Sequence, residues 1–564
     1  MASTTGQVRS TDDETSATGT VHDSSSRDTS ASDSSPNGVS HGEPLLLDDP
    51  APEGAAPEGL EVSGGPTIQT YDPRTGQVLA IVPDQSADEV RAAVARARAA
   101  ASPWAALTYK ERARHLLAVR DRLLDSAEEL VEVICAETGK QRAEAVTTEL
   151  MAVCETIDWY AKHGDRILRP QHVGSGTMAH KSAWKRYEPL GVVGVISPWN
   201  YPFTLSMTPV VTALFAGNTV VLKPSEVTPT VGLAIGRLFV DDTWGDLVQV
   251  VTGGGATGEA LVRSGVDKVC FTGSVRTGKR VMAAAAETLT PVLLELGGKD
   301  PLIVCEDADV ATAVKGAVWG SMQNSGQTCM SVERAYVHAD VYDRFVSLVL
   351  AEVAAIRQDD SGSGDIGSMT FGPQVDIVEA HLADAVEKGA TVLAGGVRAE
   401  RPGWWFPPTV VVDVDHTMDL MTEETFGPVL PIMKVDSVDE AVRLANDSPY
   451  GLNSSVWTED PDLGEQVANR LQAGNVCIND CIVSYAVTGL PFGGVKSSGM
   501  GRVHGAEGLR EMSNVKSVLG RRVKVPRELW WFPVPKHLDR IAIATMRARF
   551  GTGIRTKLGR AGCP

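Results

Sequence analysis

Cys329 stands in QNSGQTCMS (323–331), a stretch of small and polar residues. Cys270 and Cys305, in contrast, close the apolar runs KVC and LIVC, where a thiol is a small buried hydrophobe. A thiol is a nucleophile only as its thiolate, which needs partial exposure and local dipoles, and a turn at Gly326 would aim backbone N–H groups at the sulfur. A lone cysteine in a polar loop decides nothing without a partner. Glu295, 34 residues upstream, ends an apolar run and precedes two glycines in LLELGGKDP (293–301). A carboxylate at the end of a buried strand is costly unless it has a partner or a task. Desolvation moves its pKa up toward the range of a general base, and the competing reading is a salt-bridged structural carboxylate.

Both residues need rigid elements to hold them. From Gly191 onward short β-branched runs alternate with helix-like segments: GVVGVI (191–196), NTVVLKP (218–224), LVQVVTG (247–253) and KVCFTG (268–273). That alternation predicts an α/β fold, a parallel sheet with crossover helices and a nucleotide at the carboxyl ends of its strands. A second α/β unit starts at DPLIVCED (300–307) and runs to about Asp480. Upstream, TYDPRTGQ (70–77) carries a turn between two short strands. Ser86 and Glu89 form a capping box ahead of Val90, Val94 and Ala97. One long helical stretch is expected from about Lys110 through Lys162, with Leu116, Leu117, Leu123, Leu124, Leu130 and Val131 on its apolar face.

With Glu295 and Cys329 stand, in order, SPWNYPF (197–203), LKPSE (222–226), FTGSVRTG (271–278), EETFGPV (423–429) and LPFGGVKSSGMGR (490–502). The ensemble, over about Thr67 to Gly520, resembles the aldehyde dehydrogenase superfamily. The resemblance implies a variant Rossmann cofactor domain, an α/β catalytic domain and a β-arm for oligomerisation. It makes Cys329 the nucleophile, Glu295 the base that activates water, and Asn200 the oxyanion donor beside the Cys329 backbone N–H. Collapse of the adduct would expel hydride to a nicotinamide and leave a thioester for hydrolysis. Members that pass the acyl group to coenzyme A generally lack this glutamate, so a free acid is the expected product.

Cofactor residues carry over in the same way. Lys223 and Glu226, within the Lys223, Pro224, Ser225, Glu226 run, resemble the pair on the adenosine ribose. Gly273, Ser274 and Gly278 stand where a strand turns into a helix N-terminus, a seat for pyrophosphate. Glu424 and Phe426 resemble the clamp on the nicotinamide ribose and ring, and Trp199 and Leu296 line the same cleft. The cofactor is NAD or NADP. A carboxylate at Glu226 accepts from a free 2′-hydroxyl and repels a 2′-phosphate, which favours NAD, with dual use open.

VHG at 503–505 and the Trp-rich C-terminus resemble actinobacterial succinate-semialdehyde dehydrogenases. Well-known enzymes of that kind carry an arginine six residues before the cysteine, here Gln323, and another eight after the oxyanion asparagine, here Thr208. A buried carboxylate without a cation binds poorly, so the substrate is either that semialdehyde or a larger aliphatic or aromatic aldehyde. Trp104, Trp159 and Tyr160 read as core packing, with an apolar tunnel as the alternative. A fold retained without catalysis is a further reading, opposed by the complete set Asn200, Glu295 and Cys329.

Composition sets the outer bounds. The 564 residues exceed one core, and 43% hydrophobic and 22% charged residues are ordinary for a globular chain. A net charge of −19 argues against nucleic-acid binding. Eight scattered cysteines without CxxC spacing form neither a disulfide framework nor a metal site, and with no signal peptide visible the cytoplasm is the expected compartment. The expected layout is a disordered acidic tail at 1–59, a cofactor domain at 60–297 interrupted by an arm at 181–189, a catalytic domain at 298–490, and a return at 491–520. The arm, paired with a strand near Lys516 to Lys524, would join a homodimer or homotetramer. Residues 521–564 form a basic extension with Trp530, Trp531 and Phe532, which either touches an anionic membrane surface or packs back on the body.

Overall fold

The computed structural model describes residues 65–240 and 244–553. The β-branched runs of the first half lie side by side in a six-stranded sheet. Its order is Gly499–Met500, Val292–Glu295, Lys268–Thr272, Val192–Ile196, Thr219–Lys223 and Val248–Val250. All neighbours are parallel except the first pair. Alternate side chains feed two cores, as the pleat requires. Val193 and Val195 join the helices Tyr109–Asp125, Met151–Leu168 and Thr204–Ala216, while Val192 and Ile196 join Ala87–Ala105, Gly255–Arg263 and Val275–Ala286. Chain order reverses between Val192–Ile196 and Lys268–Thr272, so a crevice opens at their carboxyl ends.

A second sheet of seven strands runs Thr391–Ala394, Thr409–Val412, Val429–Val435, Val332–His338, Asp300–Val304, Ser455–Trp457 and Cys477–Ile478. Only the Thr391–Ala394 edge is antiparallel. It too is buried on both faces, with Leu302 and Val304 in one core and Ile303 and Cys305 in the other.

The structure corrects two expectations. The helical stretch from Lys110 through Lys162 is not continuous. Helices Tyr109–Asp125 and Ala127–Thr138 are followed by Gly139 at φ 73°, and the helix resumes through a wide π turn at Ala145–Leu150. A side chain on Gly139 would collide with Ser368, so the left-handed break and the close approach both require glycine. The break turns Lys140 and Gln141 into the interior. The strand expected near Lys516 to Lys524 beside the arm also starts and ends earlier. Lys181–Pro189 pairs antiparallel with Ser513–Arg521, and Gln171–Val173 lines its other side. Pairing ends where the Arg522 and Val523 N–H groups both turn to the His180 carbonyl. The acidic tail expected at 1–59 lies outside the described residues.

Candidate active site

Cys329 follows a turn in which Asn324, Ser325 and Gly326 are all left-handed, at φ 51°, 53° and 73°. Two residues with side chains in that region carry strain, which the surroundings must hold. Ser325 Oγ donates to the Gly367 carbonyl at 2.9 Å, the Gln327 carboxamide accepts from the Thr370 N–H at 2.7 Å, and Asn324 Nδ2 donates to the Asn200 carbonyl at 3.0 Å. A side chain on Gly326 would collide with the Gly427 carbonyl. The loop is pinned on three sides and presents a partly exposed Cys329.

Asn200 is 3% exposed, and its Nδ2 donates to the Gln327 carbonyl at 2.9 Å, two residues from the sulfur's own residue. Tyr201 Oη meets Thr328 Oγ1 at 2.8 Å. Asn200 and Tyr201 are thus both bonded to the two residues that precede Cys329. Glu295 ends its strand and is followed by Gly297 and Gly298, where a Cβ on Gly298 would collide with the Cys329 carbonyl. Its Oε1 is buried without a hydrogen-bond partner. Burial raises its carboxyl well above the usual range, opposed in part by Arg502. Burial also raises the Cys329 thiol, reinforced by the carboxylates Glu295, Glu424 and Asp300, while its own backbone N–H opposes the shift. The Glu295 carboxyl thus lies near enough to act on the Cys329 thiol, and Asn200 is tied to the loop that carries it.

The cofactor-side residues cluster on the same crevice. Glu424 Oε1 accepts the Gly298 N–H at 2.9 Å, and burial with the neighbouring Glu333 charge pushes its carboxyl to about 8. Glu333 also accepts the Phe426 N–H at 2.9 Å and the Lys299 ammonium at 2.6 Å, which fixes the loop. The Phe426 ring meets Trp199 edge-on at 5.4 Å. Leu296 packs where a Cβ on Gly278 would stand. The Gly273 N–H donates to the Glu295 carbonyl at 3.0 Å, tying the helix start to the catalytic strand. Ser274 caps that helix, accepting from the Thr277 N–H at 3.2 Å. Across the crevice Lys223 Nζ donates to Glu226 at 2.8 Å; burial works against the Glu226 charge, yet Lys223 overcomes it and holds the carboxyl below its usual range. Ser225 accepts the Val227 N–H at 3.2 Å, and Pro224 packs on Gly232.

Sequence reasoning missed several parts. Lys140 Nζ donates to the Asn200 carbonyl and to Glu149, both at 2.6 Å. An apolar slot lined by Ile196, Phe271, Val262 and Val281 opens beside Gly255 and Gly258. Those glycines, three apart on one helix, leave its face bare, which was the available signal. Glu259 and Arg280 also line the slot, which lies against the helices Gly255–Arg263 and Val275–Ala286. The donors and the slot together suit a dinucleotide.

The family model described as Aldehyde dehydrogenase family matches residues 61–518. The chain belongs to the aldehyde dehydrogenase family. A 4,4'-diapolycopene aldehyde oxidase of a Methylomonas species is 44% identical over 470 residues, 83% of this chain and 88% of that protein. A Succinate-semialdehyde dehydrogenase [NADP(+)] 1 of Mycobacterium tuberculosis is 36% identical over 456 residues, covering 80% and 99%. Among solved structures, a Mycobacterium tuberculosis aldehyde dehydrogenase complexed with NAD+ superposes with TM-score 0.78 at 35% identity, over 83% of this chain and 97% of that one. The two sheets are those of an aldehyde dehydrogenase fold, and the protein is an NAD(P)-dependent aldehyde oxidoreductase.

Proposed function

We propose that this aldehyde dehydrogenase oxidises apolar aldehydes larger than succinate semialdehyde to the free acid, preferring NAD. The observation that carries the substrate reading is the chemistry around the sulfur: after burial itself, the groups acting most on Cys329 are the acids Glu295, Glu424 and Asp300, and none of them is a cation. Gln323 and Thr208, where a cationic clamp would stand, are uncharged and buried. The nearby Arg502 guanidinium donates to the Gly494 and Gly501 carbonyls. Tyr485 lies beside Thr208, is close enough to Glu295 and Cys329 to be influenced by them, and meets the His504 ring at 4.4 Å with the planes tilted by 50°. A substrate carboxylate there would be desolvated beside acids, whereas a hydrocarbon chain loses nothing. The diapolycopene aldehyde in the name of one relative is of the apolar kind. Trp159 is partly exposed against Gly489 and belongs to this wall; Trp104, whose Nε1 donates to the Leu214 carbonyl at 3.0 Å, belongs to the core.

The Cys329 sulfur adds to the aldehyde carbon, and the new oxyanion takes the Asn200 amide and the Cys329 N–H. A nicotinamide bound in the crevice would accept the hydride that leaves the adduct carbon as the oxyanion collapses to the thioester. Glu295 removes a proton from water as the water attacks the thioester; the C–S bond breaks, the acid leaves and the thiolate returns. The ionised Glu226 beside Lys223 supports NAD over NADP, because a 2′-phosphate would face a carboxylate. The edge strand Ser513–Arg521 has one side unpaired among the described residues and exposes Val515 and Leu519, which supports a homo-oligomer joined through the arm. The test is a panel of hexanal, decanal, benzaldehyde and succinic semialdehyde with each cofactor. Each buried methylene should raise kcat/KM about fourfold until the tunnel is filled. The highest kcat/KM on succinic semialdehyde would overturn the substrate reading.

A further inference from the structure

The segment after the arm strand is unlike the rest of the chain. Between residues 521 and 550 it carries eight arginines and lysines against Glu528 and Asp539, in a protein of net charge −19. Glu528 is spent: it is 4% exposed and pairs with His180 and Lys181 of the arm. That contact, with Trp530 against His180 at 6.1 Å, anchors the start of the segment. Beyond it the apolar groups find no cover among the described residues. Trp531 is 55% and Phe532 91% exposed, and the helix Leu538–Phe550 has no buried residue at all. Ile543, Met546 and Phe550, spaced three and four apart, share one side of that helix, and Arg540 and Arg547 flank it.

A short helix gains most of its stability from burying an apolar face, so this one needs a surface. The surface must be apolar in depth and negative at its edge, because arginines and bulky apolar groups alternate along the whole segment. A bilayer with anionic headgroups offers both in one plane. Trp531 and Phe532 would enter at headgroup level while the long Arg stems keep their guanidinium groups among the phosphates. Among the described residues no helix is long and apolar enough to cross a membrane, so the contact is peripheral. We infer that residues 529–550 form a docking surface for an anionic lipid membrane. This does not rest on the identity of the aldehyde, although an apolar substrate would be collected from the same phase.

The test uses the full chain and sedimentation with vesicles of equal parts phosphatidylcholine and phosphatidylglycerol, with pure phosphatidylcholine vesicles as comparison. The expected result is binding to the anionic vesicles alone, weakened by salt. The double variant Arg540→Glu/Arg547→Glu and the double variant Trp531→Ser/Phe532→Ser should each lower partitioning about tenfold or more, with hexanal turnover unchanged as the check on folding. Failure of the parent chain to bind, or equal binding to both vesicle types, overturns the inference. So does a smaller particle mass for either variant in light scattering, which would assign the surface to a second copy of the chain.

Discussion

The ammonium of Lys140 donates to the backbone carbonyl of Asn200 at 2.6 Å, and both side chains are buried. Glu149 holds the same ammonium at 2.6 Å and accepts the N–H groups of Phe203 and Thr204, while the Tyr201 ring lies 4.0 Å from Lys140 Nζ. Asn200, the proposed oxyanion donor, is therefore set by an ion pair that stands behind it. Lys140→Met should lower kcat on the order of 10–100-fold while KM stays nearly constant, because the lost order matters most in the transition state. Breaking a buried pair also destabilises by about 3–5 kcal/mol. The double variant Lys140→Met/Glu149→Gln separates the effects: thermal melting should return toward the parent value and kcat should not. Recovery of kcat in the double variant would reduce Lys140 to a structural role.

Glu295 and Cys329 act in different half-reactions, which rapid mixing resolves. Glu295→Gln should keep a first-turnover burst of reduced cofactor equal to the number of sites and slow the steady state about 100- to 10,000-fold. Cys329→Ala should show neither phase. A Glu295→Gln enzyme with a normal steady state would remove the base from the mechanism.

The buried carboxyls have a thermodynamic signature. Glu424 titrates at about 8 in the folded chain against 4.5 for the free side chain, and Glu295 is shifted in the same direction. The folded state keeps these protons where the unfolded chain has lost them. Stability from this source is therefore full below about pH 4.5 and is lost as pH rises toward about pH 8. Glu424→Gln keeps an acceptor for the Gly298 N–H and removes the titration. The melting curves of parent and variant, taken without cofactor, should diverge across that window by on the order of a few kcal/mol, the parent weakening as pH rises. Parallel curves would count against a buried, protonated Glu424.

The sheets were legible in the sequence because residue type and spacing carry them, whereas Asn200, Glu295 and Cys329 were singled out together by the resemblance of their motifs. Val192–Ile196 and Thr219–Lys223 are buried at every residue, so each reads as a continuous apolar stretch at its centre rather than an alternating one. Lys140 was not legible. It follows a helix whose 3.6-residue period continues beyond it, and only Gly139 at φ 73° turns it inward. The slot beside Gly255 and Gly258 needed the strand order, since a bare helix face means a cavity only when a crevice lies against it. The arm's end was set by the His180 carbonyl, a contact that no local pattern announces.

In the proposed reading, cofactor choice reduces to one carboxylate. Glu226 is ionised because Lys223 offsets its burial, and the two groups meet at 2.8 Å beside the crevice. With NAD, the carboxylate accepts from the ribose hydroxyls. With NADP, it faces a phosphate at close range, and two like charges near 4 Å cost about 4 kcal/mol at a protein surface before rearrangement. Glu226→Ser removes the repulsion and frees Lys223 for the phosphate. The ratio of kcat/KM for NAD over NADP should fall about 100-fold or more in the variant, mostly through a lower KM for NADP. An unchanged ratio would mean that Glu226 does not face the ribose, and discrimination would then have to come from another part of the crevice.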